Sequence, residues 1–352
     1  MNDLIVLTTQ TQIETVCRKF TNKPEVRHTN ILNLLRSLNC HINITNNVIL
    51  TIDILYELNV HDIDMINYLK NCFESFDEFS DRGFNEYFKD GIIPYTIPHY
   101  KVNKSKLSRL KYWQQAGAFC NDMITPIFED TWKNSIESAN NCYLVKDYIK
   151  VSTFQTIYCL NLYPGHHAGY SNYGGYCFLN NSAICAQTLL MYKICNKIAI
   201  LDLDHHAGDG TSDIFKNNQF VTTVSIHANT DYDYPYYSSN DENSDEYIRN
   251  KFITFEPNCT IEKYREHLRV ATDYICQDMP DALIIAFGGD TYKNDPDASI
   301  FCKCLLDLPD YEIIGRQIRS TFGEIPIIIT QEGGYSMENI ADIIKNFLLG
   351  IC

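Results

Sequence analysis

The 352-residue chain contains 14 cysteines but no Cys-x-x-Cys pair, the nearest two being Cys302 and Cys304. The others are scattered through apolar segments, as at Cys185 and Cys276. That distribution excludes a disulfide framework and predicts buried free thiols in a reducing, cytoplasmic setting. Basic residues are in deficit: 29 Lys plus Arg against 44 Asp plus Glu leave a net charge of −15. A chain this acidic is a poor ligand for phosphates, so no nucleic-acid partner is expected. It is suited instead to attracting cations, amines included. No apolar run approaches the ~18 residues of a membrane span. The start, Met1-Asn2-Asp3-Leu4, lacks the basic and apolar regions of a secretory leader. Repeats, low-complexity tracts and Pro/Gly/Ser linkers are also lacking. Although ~150 residues per domain would allow two domains, one domain over residues 1–352 is therefore expected.

What is present is an alternation of short apolar runs with helix-like stretches. A strand opens the chain at Leu4–Leu7, and Ile31, Leu34, Leu35 and Leu38 mark one face of a helix over Thr29–Leu38. The segment from Phe73 to about Tyr112 is polar and aromatic with weak period, a loop long enough to suggest function. From Gln155 onward, apolar runs fall at Thr156–Leu160, Ile198–Leu203, Val221–Ile226, Leu283–Phe287 and Ile325–Ile329. They lack polar alternation, as strands buried on both faces of a parallel sheet do. Helix patterns at Asn181–Tyr192, Ile261–Gln277 and Tyr311–Thr321 complete an α/β sandwich, doubly wound about a parallel sheet.

Each run leads into polar residues: Pro164-Gly165-His166-His167, Asp202-Leu203-Asp204-His205-His206, His227, Gly288-Gly289-Asp290 and Gln331-Glu332-Gly333-Gly334-Tyr335. Open parallel sheets bind ligands at their carboxyl edge. Residues two apart on an extended strand end point to one side, so Asp204 and His206 can share an ion, with Asp290 as a third donor. Two carboxylates and one imidazole leave a coordination position open, the pattern of a catalytic site. Zn2+ suits this set best, and Fe2+ or Mn2+ also fits its oxygen-rich donors. Asp202, on the same strand face as Asp204, can orient an imidazole or hold a second cation.

The tandem His166-His167 can move protons near neutral pH, one ring taking a proton from water and one returning it to a leaving amine. Asp202 and Asp209 are candidate partners for these rings. Tyr335, after two glycines, can donate to a substrate carbonyl and to the oxyanion formed on it. A single strand-end Asp or a single packed Tyr would carry no such meaning. Together the set fits metal-assisted hydrolysis of an amide or ester.

These motifs, with Gly175-Tyr176-Cys177-Phe178-Leu179-Asn180, Gly208-Asp209-Gly210-Thr211 and Asp295-Pro296, resemble the zinc-dependent histone deacetylase and acetylpolyamine amidohydrolase superfamily from about Tyr163 to Ile340. The resemblance implies the arginase–deacetylase fold, a mostly parallel sheet of about eight strands with helices on both faces. It implies Asp204, His206 and Asp290 as zinc ligands, His167 as general base and acid beside His166, Asp202 and Asp209 as their partners, and Tyr335 as the carbonyl-polarising group. It also implies a structural K+ held by Asp202, the carbonyls of Asp204, His206 and Ile226, and the Ser225 hydroxyl. Tyr176 and Tyr234 stand where the family walls its acyl tunnel. His206 lies two residues after Asp204 and two before Gly208, which gives it the ligand's place. His205 then replaces a spacer residue and Ala207 the motif's second histidine.

Asp290-Thr291, Asp295-Pro296, Phe301, Pro309-Asp310-Tyr311, the stretch from Gly91 to Pro98 and Thr125-Pro126-Ile127 are similar to the acetylpolyamine branch. Residues 73–122 resemble that branch's entrance insertion, which narrows access and contributes to a homodimer there. Asp297 matches an acidic gatekeeper position, and Asp122 is a second candidate rim acid. A small cationic acetylated amine passing such a mouth gains ~1 kcal/mol per close charge pair in water. The expected function is removal of acetyl groups from acetylpolyamines. A protein lysine deacetylase is the alternative, and a non-catalytic binding protein on the same fold the third.

Overall fold

In the computed structural model, residues 4–14, 22–76, 81–99, 101–150, 155–236, 249–298 and 300–352 are described. Eight strands form one sheet: β1 (Leu4–Thr9), β2 (His41–Thr45), β3 (Thr156–Cys159), β4 (Ile198–Asp202), β5 (Val221–Ala228), β6 (Asn250–Phe255), β7 (Ala282–Phe287) and β8 (Ile327–Gln331). Their order is β2-β1-β3-β8-β7-β4-β5-β6 and every pairing is parallel. The expected doubly wound sheet is what the sequence builds. The run beginning at Ile325 starts as a strand only at Ile327, because Pro326 has no N–H to give the ladder. The two edge strands carry no expectation from the sequence, and both are partly exposed, with polar residues interrupting the apolar ones.

Alternate strand residues feed two cores. Ile157, Ile200, Ile284 and Ile328 face one, and Tyr158, Leu201, Ile285 and Ile329 the other. Helices α1 (Pro24–Ser37), α5 (Ile261–Cys276), α6 (Leu308–Thr321) and α7 (Ile340–Ile351) cover the second face. Helices α2 (Thr131–Tyr148), α3 (Asn181–Met191) and α4 (Asp209–Phe215) lie on the first. Pro24 at the first turn starts α1 earlier than its apolar stripe suggests, since proline is pre-organised there. Asn180 caps α3 by accepting from Ala183 N. Gly315 and Gly350 let α6 and α7 touch: a Cβ on Gly350 would stand 2.3 Å from the Glu312 carbonyl oxygen. Stacking of Phe287 on Phe347, with centroids 4.1 Å apart, ties β7 to α7.

The described residues of the 73–122 segment form short helical turns rather than coil, at Asn85–Phe88, Lys104–Leu107 and Ala116–Phe119 among others. Trp113 is buried among Phe76, Phe84 and Phe88. A bridge between Cys120 and Tyr173 delivers its end to the loop carrying Gly175 and Tyr176. Among the described residues no helix is long and apolar enough to cross a membrane.

Candidate active site

The carboxyl ends of β3, β4, β7 and β8 meet at the middle of the sheet. The loop after β3 is pinned to the end of β8: Gly165 N and His166 N donate to Glu332 Oε2 at 2.5 and 3.1 Å. Burial pushes the Glu332 carboxyl up to about 7. Glu332 belongs to the Gln331–Tyr335 motif, and it acts on the backbone that carries the two histidines.

Each of those histidines has its own carboxylate. His166 Nδ1 lies 3.0 Å from Asp202 Oδ2, and His167 Nδ1 lies 2.7 Å from Asp209 Oδ1. The two rings are 4.0 Å apart. Burial, and then the neighbouring His166, push the His167 imidazole below its ordinary value, so it stands neutral near pH 7. Gly175 makes room for it: a Cβ there would fall 2.2 Å from His167 Cδ2, and its positive φ of 54° suits glycine.

Asp204, His206 and Asp290 present ligand atoms that all lie within 4.8 Å of one another. His206 Nδ1 is 3.3 Å from both Asp204 Oδ1 and Asp290 Oδ2. The other carboxylate oxygens are held from outside, Asp204 Oδ2 by Gly333 N and Asp290 Oδ1 by His205 N, each at 2.9 Å. Asp290 Oδ2 is buried without a hydrogen bond of proper geometry. Burial and the adjacent Asp204 raise the Asp290 carboxyl, and burial and the same neighbour raise Asp202. Two buried carboxylates on the one imidazole of His206, with Asp202 buried beside them on His166, leave a deficit of positive charge, and an oxygen aimed inward without a donor fits a cation.

Around this centre is a cavity of about 120 Å3 lined by His166, His167, Tyr176, Asp204, His206, Asp233, Tyr234, Asp297 and Tyr335, among others. Tyr234 sets its ring 4.8 Å from that of His167, and Tyr176 stands edge-on to Tyr335 at 6.1 Å. Tyr335 is placed by its backbone: Tyr335 N and Ser336 N donate to the buried Asp295 Oδ2 at 2.7 and 2.9 Å. Burial, then Asp297, hold the Tyr335 hydroxyl well above its usual range, so it remains a donor. Asp297 lies at the mouth, where it also lines an outer recess of about 300 Å3 shared with Lys23 and Met337.

Ser225 is the register partner of Asp202 on the adjacent strand. Its hydroxyl accepts from Gly208 N at 3.2 Å and lies 2.8 Å from His227 Nδ1. Asp122 departs from the expectation of a rim acid open to substrate. Ile124 N and Thr125 N donate to its Oδ1, and Thr125 Oγ1, Gly175 N and the Tyr234 hydroxyl to its Oδ2, at 2.6 to 3.1 Å. With its acceptors occupied, it ties the end of the 73–122 segment to the Gly175 backbone and to the Tyr234 side chain. Asp233 belongs to none of the sequence motifs; its Oδ2 lies 2.9 Å from His205 Nε2. A larger depression of about 470 Å3 near Asn59, Tyr170 and Asp213 contains none of the candidate residues.

A model of the histone deacetylase domain matches residues 24–351. The chain belongs to the histone deacetylase family. It is a deacetylase, and this family is metal-dependent. Among its relatives, acetylpolyamine amidohydrolase 1 of Pseudomonas aeruginosa is 30% identical over 297 residues, 83% of this chain and 81% of that protein. Acetylpolyamine amidohydrolase of Mycoplana ramosa is 30% identical over 297 residues, 84% of this chain and 82% of that protein. The fold of this deacetylase matches a crystal structure of acetylpolyamine aminohydrolase from Burkholderia pseudomallei, with a TM-score of 0.82 and 22% identity over 99% of this chain and 98% of that one.

Proposed function

We propose that this deacetylase removes acetyl groups from small acetylated amines, acetylpolyamines first among them. The observation that carries the proposal is the small cavity itself. Within about 120 Å3 it brings two carboxylate-held histidines, a tyrosine hydroxyl and the Asp204–His206–Asp290 cluster to one point, with Asp297 at the mouth. The names of the two amidohydrolase relatives support the same substrate class.

Asp204, His206 and Asp290 would hold a divalent ion, Zn2+ by preference with Fe2+ as the alternative. When bound, that ion supplies a Lewis acid that polarises the acetyl carbonyl and lowers the pKa of water. The remaining work falls to the chain. His167, neutral and fixed through Nδ1 by Asp209, presents Nε2 to take the proton of the attacking water. Tyr335 donates its hydroxyl to the carbonyl oxygen as negative charge develops there. The tandem His166-His167 returns a proton to the amine nitrogen as the C–N bond breaks, releasing acetate and the free amine. Tyr176 and Tyr234 flank the acyl chain, and Asp297 faces an ammonium farther along the substrate. A K+ ion at Asp202 and Ser225, with the carbonyls of Asp204, His206 and Ile226, would brace the loop behind the site. The described cysteines are all free thiols, which supports a reducing, cytoplasmic compartment.

The test is a comparison of kcat/KM on zinc-loaded protein for N-acetylputrescine, N8-acetylspermidine and an acetyl-lysine histone peptide, with Tyr335→Phe as control. Faster turnover of the two amines is expected. Faster turnover of the peptide would make the chain a protein lysine deacetylase instead.

A further inference from the structure

Next to the cluster just described lies a second pair of titratable groups that the proposed chemistry does not use. His205 is fully buried, and its Nε2 lies 2.9 Å from Asp233 Oδ2. Its Nδ1 has no hydrogen-bond partner, which places the ring proton on Nε2, donated to the carboxylate. The other oxygen, Asp233 Oδ1, accepts from Tyr234 N at 2.9 Å and stands 3.9 Å from His206 Nε2.

We propose that His205 and Asp233 are a positioning pair that orients the ligand His206 and the tunnel wall at Tyr234. The inference rests on the metal site proposed above. An imidazole that offers the Nδ1 lone pair to a cation carries its proton on Nε2. In a buried site that proton needs an acceptor, commonly a carboxylate, which fixes ring orientation and strengthens the ligand. Asp233 Oδ1 is the carboxylate oxygen facing that nitrogen, at 3.9 Å an electrostatic partner rather than a direct hydrogen-bond acceptor. Asp233 sits on the loop after β5, and His205 gives it a rigid anchor. The His205 main chain is held on both sides, its N–H by Asp290 Oδ1 and its carbonyl oxygen by Ala228 N, both at 2.9 Å. Its ring packs against Phe255 and His206, at 5.5 and 5.1 Å. A histidine at the spacer position of the ligand motif thus has a use: it ties that motif to the loop that begins the tunnel wall. His205, His206 and Asp233 also lie close enough together to hold an ion of their own. The hydrogen bond between His205 and Asp233 already joins two of those three donors, so one divalent ion per chain is expected.

Zn2+ affinity and stoichiometry, read by competition with a chromophoric chelator, test the pair without using turnover. Melting of the metal-free proteins checks their folding. Asp233→Asn should weaken Zn2+ binding about 10–100-fold, the usual cost of losing a ligand's outer partner. His205→Leu should weaken it in the same direction. His205→Gln, which keeps a side-chain N–H for Asp233, should recover affinity toward wild type. Wild-type affinity in a folded Asp233→Asn protein overturns the pair. If that variant does not fold, equal affinities of His205→Leu and His205→Gln overturn it. Two Zn2+ per chain, falling to one in His205→Leu, overturn it in favour of a second ion site. Undiminished affinity in Asp204→Asn would instead defeat the metal-site proposal itself.

Discussion

The Tyr234 hydroxyl donates to Asp122 Oδ2 at 3.1 Å, joining a wall of the cavity to the end of the 73–122 segment. The same carboxylate accepts from Gly175 N, next to Tyr176, which also lines the cavity. Asp122 is therefore a structural clamp, and its removal leaves several donors without acceptors. Asp122→Ala should cost about 2–3 kcal/mol of stability, the scale of orphaned partly buried donors. It should raise KM alike for charged and neutral acetamides, because what changes is the shape of the channel. Denaturant unfolding together with the two KM values checks this. A selective effect on cationic substrates would return Asp122 to the rim.

Asp297 has the opposite signature. It is exposed at the mouth and lines both the inner cavity and the outer recess. Loss of one close charge pair in water, ~1 kcal/mol, corresponds to about fivefold in affinity. Asp297→Ala should raise KM for N8-acetylspermidine by about that factor and leave a neutral acetamide unchanged. Lys23 shares the recess, so Lys23→Ala should move the polyamine KM the other way. Salt titration of the wild-type KM gives an independent check, since the attraction weakens as ionic strength rises. Equal effects on neutral and cationic substrates would remove the gatekeeper role.

The central strands were legible because they are buried on both faces and so lack polar alternation, most plainly at Leu283–Phe287, where every residue is apolar. His41–Thr45 and Asn250–Phe255 were not, since edge strands keep polar residues on their open sides. Helix Thr131–Tyr148 also escaped notice: it buries Asn134, Glu137, Asn140 and Asn141 as hydrogen-bonding groups, which blurs the apolar stripe. At the site, strand-end position exposed the histidines and carboxylates that share one edge. What spacing cannot convey is a contact made across the fold. Asp233, far from its partner His205 in sequence, carries no local signal. For Asp122 the residue type suggested charge, whereas its use is set by the five donors that folding brings around it.

Tyr335 provides a kinetic test of the proposed chemistry. Its hydroxyl stays protonated because burial and Asp297 raise it, and it faces the cavity shared with His167 and His206. A donor acting mainly on the developing oxyanion supplies ~3 kcal/mol at the transition state and little in the ground state. Tyr335→Phe should lower kcat about 100-fold or more and leave KM within a few-fold. Steady-state kinetics on N-acetylputrescine reads both constants. An unchanged kcat would show that the hydroxyl does not reach the reacting carbonyl.

The pH dependence of stability can be assigned to a residue behind the site. His61 is fully buried, its Nδ1 2.7 Å from the Gly169 carbonyl oxygen and its Nε2 accepting from Asn180 N at 2.9 Å. Both nitrogens are therefore used by the neutral ring, and a second proton would meet the Asn180 N–H. Burial pushes its pKa down to about 4, and burial likewise takes His28, beside Thr8, down to about 3. Between those values and the ordinary 6.5, the unfolded chain binds protons that the folded chain does not. The stability held by these rings is thus complete above pH 6.5 and is lost as pH falls toward 4, by about 2 kcal/mol per ring at pH 5. Glu332, raised to about 7, contributes with the opposite sign over 4.5 to 7, so the wild-type curve alone does not isolate the histidines. The difference between wild type and His61→Gln does. The variant should be less stable at pH 7.5, and the gap should narrow by about 2 kcal/mol at pH 5. Urea unfolding at the two pH values measures it, and a gap independent of pH would mean that His61 keeps its ordinary pKa in the folded protein.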